Sequence, residues 1–93
     1  MTGFKSMISE LLGKIANTDD FSLLLPLLLS ADELNAINGR TLVYKELLSG
    51  EKSQREIAKE HKISIATITR GSNNLKAMSV AEKTLLQTLL TRK

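Results

Sequence analysis

The sequence predicts an all-α chain, and three observations support that fold class. Apolar residues recur three and four positions apart through most of the 93 residues, which is the spacing of a helix face. Ser30 and Ser53 each stand three residues before a glutamate, a pattern typical of helix N-termini. The alternation of apolar and polar residues that would predict a strand does not occur, and the sequence has no internal repeat.

The N-terminal third predicts two helices separated by a turn. Apolar residues at helical spacing predict a first helix over residues 3–16. Turn and N-cap residue types follow at Asn17 to Asp20, ahead of the apolar block Leu23–Leu29. This block is far shorter than the roughly 20 residues that a membrane span needs. Pro26 within it predicts a bend or a break in the helix that forms there.

A longer central helix is predicted to begin after Ser30 and to end at Gly50. Ser30 and Glu33 have the capping-box form, and apolar residues continue at helical spacing as far as Leu48. The pair Asn38-Gly39 lowers helix propensity, so an irregularity is predicted at that point.

Two short helices with a tight connection are predicted to form a helix-turn-helix over residues 53–76. Ser53 caps the first, which runs for about two turns, and Ser64 caps the second after a linker around Lys62 and Ile63. One further helix is predicted from Ser79 onward. The residues predicted to pack between the two helices of the motif are Ile57, Ala58, Ile63 and Ile68.

Composition excludes several classes of function. The chain has no cysteine and one histidine, His61, so a disulfide framework, a thiolate zinc site and a cysteine nucleophile are excluded. His61 is expected at the surface or in a turn, and neither an enzyme nor a metal site is expected. The N-terminus does not resemble a secretory signal, which favours a cytoplasmic protein. A single domain of this length often recruits a second copy, so a homodimer is expected.

The net charge of +3 is concentrated in one segment. Residues 52–76 have six basic side chains against two acidic ones, a local charge of +4. A basic field over a nearly neutral body indicates a polyanionic partner such as double-stranded DNA. The basic residues of the segment are Lys52, Arg55, Lys59, Lys62, Arg70 and Lys76.

The second helix of the motif divides into three faces at 3.6 residues per turn. Ile68 and Leu75 face the core. A second face begins with small side chains, which allow close approach to a major groove about 12 Å wide. Arg55, in the preceding helix, is the candidate for a bidentate contact to guanine, while nearby lysines are candidates for phosphate. The predicted DNA-binding residues are Gln54, Arg55, Lys59, Ser64, Ile65, Ala66, Thr69 and Lys76.

The third face consists of Thr67, Arg70, Gly71 and Asn74 and is predicted to lie outside both the core and the DNA-facing surface. A guanidinium beside a glycine can hold a small carboxylate ligand or stack on an aromatic ring. A salt bridge between Arg70 and a neighbouring acid is the plainer alternative.

The segment GEKSQREIAKEHKISIATITRGSNNLK, with the upstream RTLVYKELLSG and LLPLLLSADE, resembles the tryptophan repressor family. IATITRGSN is its most specific piece, and the likeness extends from about Leu23 to Lys76. The resemblance implies an intertwined homodimer of six-helix chains. It also implies that L-tryptophan binds as a corepressor and that the protein then binds operator DNA.

The resemblance further implies a tryptophan site on the third face. Arg70 and Arg40 would sandwich the indole from opposite chains, and Arg70 would also hold the carboxylate. Thr67 and Gly71 would line the slot. The other implied ligand residues are Ser30 beside the carboxylate, backbone carbonyls near Leu27 and Leu29 for the ammonium, and Asn74.

Three positions depart from the family's pattern. Asn74 stands where a serine helps to bind the ammonium, Ser30 where a threonine is usual, and Ala58 where a lysine is associated with DNA contact. Two other interpretations of the sequence remain. One is a ligand-independent helix-turn-helix module of the transposase or replication-initiator type, and the other is a dimeric helical adaptor whose leucines bind other proteins.

Overall fold

The computed structural model describes the backbone of residues 4–91 and the side chains from residue 7 to residue 91. Within that range the regular structure is helical and contains no strand, which confirms the all-α, six-helix prediction. Gly3, where the first helix was predicted to begin, lies outside the described residues. The helices are α1 (Phe4–Gly13), α2 (Thr18–Leu28), α3 (Ala31–Ser49), α4 (Gln54–His61), α5 (Ile65–Ala77) and α6 (Val80–Thr91).

The structure divides into a first unit that ends at Leu34 and a second that begins at Asn35. In the first unit, α1 ends at Gly13, whereas the sequence predicted that this helix would extend to residue 16. Glycine has low helix propensity, and the chain then tightens: the amides of Lys14 and Ile15 donate to carbonyls three residues back, each at 3.2 Å. The predicted N-cap is confirmed at Asn17, whose side chain accepts a hydrogen bond from the Asp20 amide at 2.8 Å.

A bend or a break was predicted at Pro26, and the break does not occur, because α2 continues through the proline to Leu28. Proline lacks an amide hydrogen, so the helix loses the bond to the carbonyl of Ser22. The next turn still closes, since the Leu29 amide donates to the Leu25 carbonyl at 3.0 Å. A proline so near the end of a helix interrupts little that follows it.

The central helix begins and ends as predicted but is continuous where an irregularity was expected. The Glu33 amide donates to Ser30 Oγ at 3.1 Å, and the Ser30 amide donates to Glu33 Oε1 at 2.8 Å, so the capping box is complete. Gly50, with φ of 69°, follows the last helical residue. The helix passes through Asn38 and Gly39 without interruption. The propensity cost of roughly 1 kcal/mol at a helical glycine is small enough for the rest of a 19-residue helix to offset.

The core of the second unit lies where α3, α4 and α5 meet. Val43, Ile57 and Ile68 are completely buried there. Leu47, Ala58 and Ile63 pack against them and are partly buried. The residues predicted to pack within the helix-turn-helix are therefore confirmed. Val43 and Leu47 of α3 pack against them, a contact between α3 and the motif that the sequence pattern did not predict.

The last helix begins with a capping box that the sequence analysis did not single out. The Glu82 amide donates to Ser79 Oγ at 3.1 Å, and the Ser79 amide donates to Glu82 Oε1 at 2.8 Å. Of the helices described, none combines the length and the apolar character that crossing a membrane requires.

Candidate nucleic-acid interface

The helix-turn-helix is formed by α4, α5 and the turn between them. A capping box fixes the start of α4: the Glu56 amide donates to Ser53 Oγ at 3.1 Å, and the Ser53 amide donates to Glu56 Oε1 at 2.8 Å. The hydrogen bond from the Ser53 backbone to the Glu56 carboxylate, followed by the effect of the Ser53 side chain, holds the pKa of Glu56 below its ordinary value. The entry into the motif is therefore defined by local hydrogen bonds as well as by packing.

The turn between the two helices depends on Lys62, which has left-handed backbone angles of φ 56° and ψ 42°. The amide of Ile63 donates to the Ala58 carbonyl at 3.1 Å, so the end of α4 is closed by the backbone. Glycine adopts this conformation without steric cost, whereas a residue with a β-carbon is strained in it. Lys62 thus occupies the position where a glycine is common in such turns.

Ser64, predicted to lie at the DNA surface, is the N-cap of α5. Its hydroxyl accepts a hydrogen bond from the Thr67 amide at 3.1 Å and lies 2.8 Å from the Thr67 hydroxyl. The Ser64 side chain is exposed, so the hydroxyl that caps the N-terminus of α5 also lies at the surface. Thr67, predicted to line the ligand slot, is half-buried and already shares its hydroxyl with this cap.

The structure places every predicted DNA-binding side chain at the surface. Ile65, at the start of α5, is 50% exposed although it is β-branched and apolar. Among the described residues, no ion pair involves Arg55, Lys59 or Lys76. The surface has exposed cations beside short side chains. The residues that share this exposure are Gln54, Arg55, Lys59, Ser64, Ile65, Ala66, Thr69 and Lys76.

Lys52 differs from the other cations of the basic segment, because its charge is neutralised within the chain. Its Nζ lies 3.0 Å from Glu46 Oε2 and 2.6 Å from Glu60 Oε2. The hydrogen bond to Glu60, followed by the one to Glu46, raises the pKa of Lys52. The positive charge that this segment presents to a partner is therefore smaller than its number of basic residues indicates.

His61, which was expected at the surface or in a turn, is the last residue of α4, directly before the turn, and lies half-buried in the same cluster. Its Nε2 lies 2.6 Å from Glu46 Oε2 and 3.1 Å from Glu60 Oε2. Two carboxylates and an imidazole within 4.8 Å of one another are groups that could hold a cation. In this chain the Lys52 ammonium already bonds to both carboxylates.

The third face of α5 is divided between exposed and buried positions. Arg70 is exposed, and no ion pair involves it among the described residues, so the alternative of a structural salt bridge is not supported. The Asn74 side chain donates to the Tyr44 hydroxyl at 3.3 Å. Gly71 is buried, and a β-carbon there would lie 2.6 Å from Cγ1 of Val43. The prediction that this face lies outside the core is thus wrong for Gly71, whose missing side chain lets α5 approach α3.

The remaining predicted ligand residues lie on α2 and α3. Arg40 is exposed on α3. Ser30 is also exposed, and its hydroxyl accepts the capping-box hydrogen bond at the start of α3. Leu27 is 80% exposed at the end of α2, and Leu29 is its half-buried C-cap. The backbone carbonyls assigned to the tryptophan ammonium therefore belong to the last turn and end of α2.

An all-helical chain with a capped helix-turn-helix and exposed cations on that motif has the architecture of the class of helix-turn-helix DNA-binding proteins. Residues 5–90 match the family described as Trp repressor protein. The Trp operon repressor homolog of Vibrio parahaemolyticus is 43% identical over 83 residues, 89% of this chain and 81% of that protein. The homolog of Vibrio cholerae is 41% identical over the same length and the same shares, and that of Vibrio vulnificus is 47% identical over 68 residues, 73% of this chain and 67% of its own.

The chain belongs to the Trp repressor family. That membership confirms the resemblance seen in the sequence and extends it from Leu23–Lys76 to nearly the whole chain. The family and the relatives matched here are described as repressors of the Trp operon.

Proposed function

We propose that this chain is an L-tryptophan-activated transcriptional repressor that binds operator DNA as a homodimer. The observation that supports it most strongly is the surface of the helix-turn-helix. Ile65, Ala66 and Thr69 are exposed on α5, and exposed cations at Arg55 and Lys59 lie on α4. Membership of the Trp repressor family supports this function for the surface.

The DNA contact is made by the N-terminal part of α5 entering a major groove. Short side chains at Ala66 and Thr69 let the helix backbone approach the base edges, and methyl groups there can contact thymine. Arg55 reads guanine, while Lys59 and Lys76 bind phosphates. The Trp repressor is itself a standard example of this docking and of base contacts made largely through bridging water, so the fit of Ile65, Ala66 and Thr69 matters more than direct bonds.

The homodimer is supported by the apolar surface that the single chain leaves exposed. Neither α2 nor α6 buries a residue within this chain. Leu27 of α2 is 80% exposed and Val80 of α6 is 82% exposed. Exposed leucines on whole helices indicate an interface, and a second copy supplies the missing contacts for a chain of this size.

The ligand site is supported by the unpaired guanidinium on α5. Arg70 is exposed and, within the described residues, has no acidic partner. A guanidinium can bind the carboxylate of an amino acid and lie against an aromatic ring at the same time. Arg70 and the partner subunit's Arg40 sandwich the indole, with Thr67 and Gly71 beside it. The carboxylate also meets Ser30, and the ammonium meets Asn74 and carbonyls near Leu27 and Leu29.

Tryptophan acts by favouring one orientation of the helix-turn-helix. When it lies between α3 and α5, the two copies of α5 in the dimer are held at the separation of successive major grooves, about 34 Å. Ligand and DNA affinities are then thermodynamically linked, and each raises the other by the same factor.

The test is duplex binding with and without L-tryptophan. A binding sequence is first selected from random duplexes in the presence of excess L-tryptophan. The dissociation constant of the protein–duplex complex is then measured with L-tryptophan, with L-phenylalanine and with neither. Corepression requires tighter binding with L-tryptophan alone. An equal dissociation constant in all three conditions would indicate a ligand-independent DNA-binding module. If the protein retains no duplex at all, the interpretation as a helical adaptor is favoured.

A further inference from the structure

The cluster of Glu46, Lys52, Glu60 and His61 joins α3 to both ends of α4. Lys52 immediately precedes the N-cap of α4, and Glu60 and His61 are its last two residues. Glu46 lies on α3, and its Oε2 is 3.0 Å from Lys52 Nζ and 2.6 Å from His61 Nε2. These bonds connect the first helix of the DNA-binding motif to the helix on which it packs.

Lys52 is the residue that makes this arrangement of charges stable. A carboxylate oxygen of Glu46, one of Glu60 and a ring nitrogen of His61 lie within 4.8 Å of one another. Without the Lys52 ammonium the two carboxylates would repel each other, with only His61 beside them. The Glu46 side chain is only 15% exposed, which reduces screening by water. Removing the ammonium would therefore push the end of α4 away from α3.

We propose that Lys52 is a positioning residue, which holds α4 on α3 through Glu46 and Glu60 and does not contact DNA phosphate. Two of its three ammonium hydrogens are directed at carboxylates. Turning to a phosphate would break both of these bonds and leave His61 as the remaining partner of the two carboxylates. Lys59, by contrast, is exposed on α4 and has no ion pair within the described residues. This inference rests on the proposed DNA-binding function.

The salt dependence of duplex binding separates the two lysines. Each phosphate contact adds about 0.9 to the slope of log affinity against log salt concentration. Lys59→Met should lower that slope by about this amount. Lys52→Met should weaken binding several-fold and leave the slope unchanged, and Lys52→Arg, which keeps the charge and the bonds to both carboxylates, should bind as the wild type does. A fall in slope in Lys52→Met equal to that in Lys59→Met would overturn the proposal.

A second substitution tests the repulsion directly. Glu60→Gln should restore most of the affinity in the Lys52→Met background, because it removes one of the two facing charges. The same substitution in the Lys59→Met background measures the general effect of losing an acid near DNA. If the gain from Glu60→Gln is equal in both backgrounds, Lys52 does not act through Glu60 and the proposal is wrong.

A measurement without DNA keeps this inference distinct from the proposed function. Amide hydrogen exchange in α4 should be faster in Lys52→Met than in the wild type and unchanged in Lys59→Met. Unchanged exchange in Lys52→Met would overturn the positioning role even if the protein binds DNA. Absence of duplex binding by the wild type would instead refute the function while the exchange result still decides whether Lys52 holds α4.

Discussion

Gly71 of α5 lies directly against Val43 of α3, and a β-carbon added to the glycine would come within 2.6 Å of Val43 Cγ1. Val43 is completely buried and β-branched, so it cannot rotate away without disturbing its neighbours. The two helices therefore approach each other at a point where only glycine fits. This contact sets the distance at which α5 packs on α3.

Gly71→Ala should lower the free energy of unfolding by up to about 2 kcal/mol. Overpacking a core typically costs about 1–3 kcal/mol, and the gain of roughly 1 kcal/mol from replacing a helical glycine by alanine offsets part of this cost. Gly39→Ala is the matched control, since an added β-carbon there would have no atom within 4 Å apart from its chain neighbours and the adjoining backbone of its own helix. Thermal unfolding should show opposite shifts for the two variants, and equal shifts in one direction would contradict the packing.

Lys62→Gly should be more stable than Lys62→Ala by about 1 kcal/mol, because only the alanine variant keeps a β-carbon in the left-handed conformation. Both variants lose the same charge, so their difference isolates the backbone at φ 56°. Urea unfolding measures it. Equal midpoints for the two variants would mean that the turn is not strained.

Arg70→Ala should abolish the effect of L-tryptophan on DNA binding. Residual binding should be weak, insensitive to sequence and sensitive to salt, since phosphate contacts remain. Lys45→Ala, a charge loss at an exposed site on α3, is the control. The chain contains no tryptophan, so fluorescence of the added ligand reports its binding without protein background. Wild-type corepression in Arg70→Ala would show that the ligand site is elsewhere.

Arg55→Ala should relax base preference while L-tryptophan still binds. A bidentate contact to guanine contributes about 1–3 kcal/mol of discrimination, so affinity for the selected duplex should fall and affinity for mismatched duplexes should change much less. Competition with duplexes altered at single positions checks this. Loss of tryptophan binding in this variant would contradict the separation of the DNA-binding and ligand-binding faces.

Acid should destabilise the fold through Glu46. The hydrogen bonds from His61 and then Lys52 hold the pKa of Glu46 below its ordinary value of 4.5. A carboxylate whose pKa is lower in the folded state stabilises the fold above its unfolded pKa, and that stability is lost as the pH falls through the folded value. Unfolding free energy should therefore decrease below about pH 4.5. Glu46→Gln should flatten this decrease and the exposed Glu51→Gln should not; identical pH profiles would exclude Glu46 as the cause.

Local signals in the sequence predicted the helix boundaries well, because each depends on residues three or four positions apart. The caps at Ser30, Ser53 and Ser64 are confirmed, because each serine hydroxyl accepts a hydrogen bond from the amide of the residue three positions further along the chain. The same pattern at Ser79 and Glu82 was present in the sequence and could have been used. Pro26 and the Asn38-Gly39 pair were given too much weight, since a helix tolerates one weak position when its other turns are intact.

Contacts between distant residues were not predictable from the same signals. Glu46 and His61 are 15 positions apart, and nothing in the spacing of charges indicates that they meet. Gly71 was recognised as a place of close approach, but the approaching group in this chain is Val43. The ligand residues were assigned from the family resemblance and the DNA residues from the faces and charges of the motif, and both assignments stay predictions. Arg70 and Arg55 are exposed.

The most direct test of the central claim is the dissociation constant of L-tryptophan measured with and without a saturating selected duplex. If tryptophan orients the helix-turn-helix for DNA, the duplex must tighten tryptophan binding by the same factor by which tryptophan tightens duplex binding. We expect equal factors, well above one. An unchanged tryptophan affinity in the presence of bound duplex would contradict corepression.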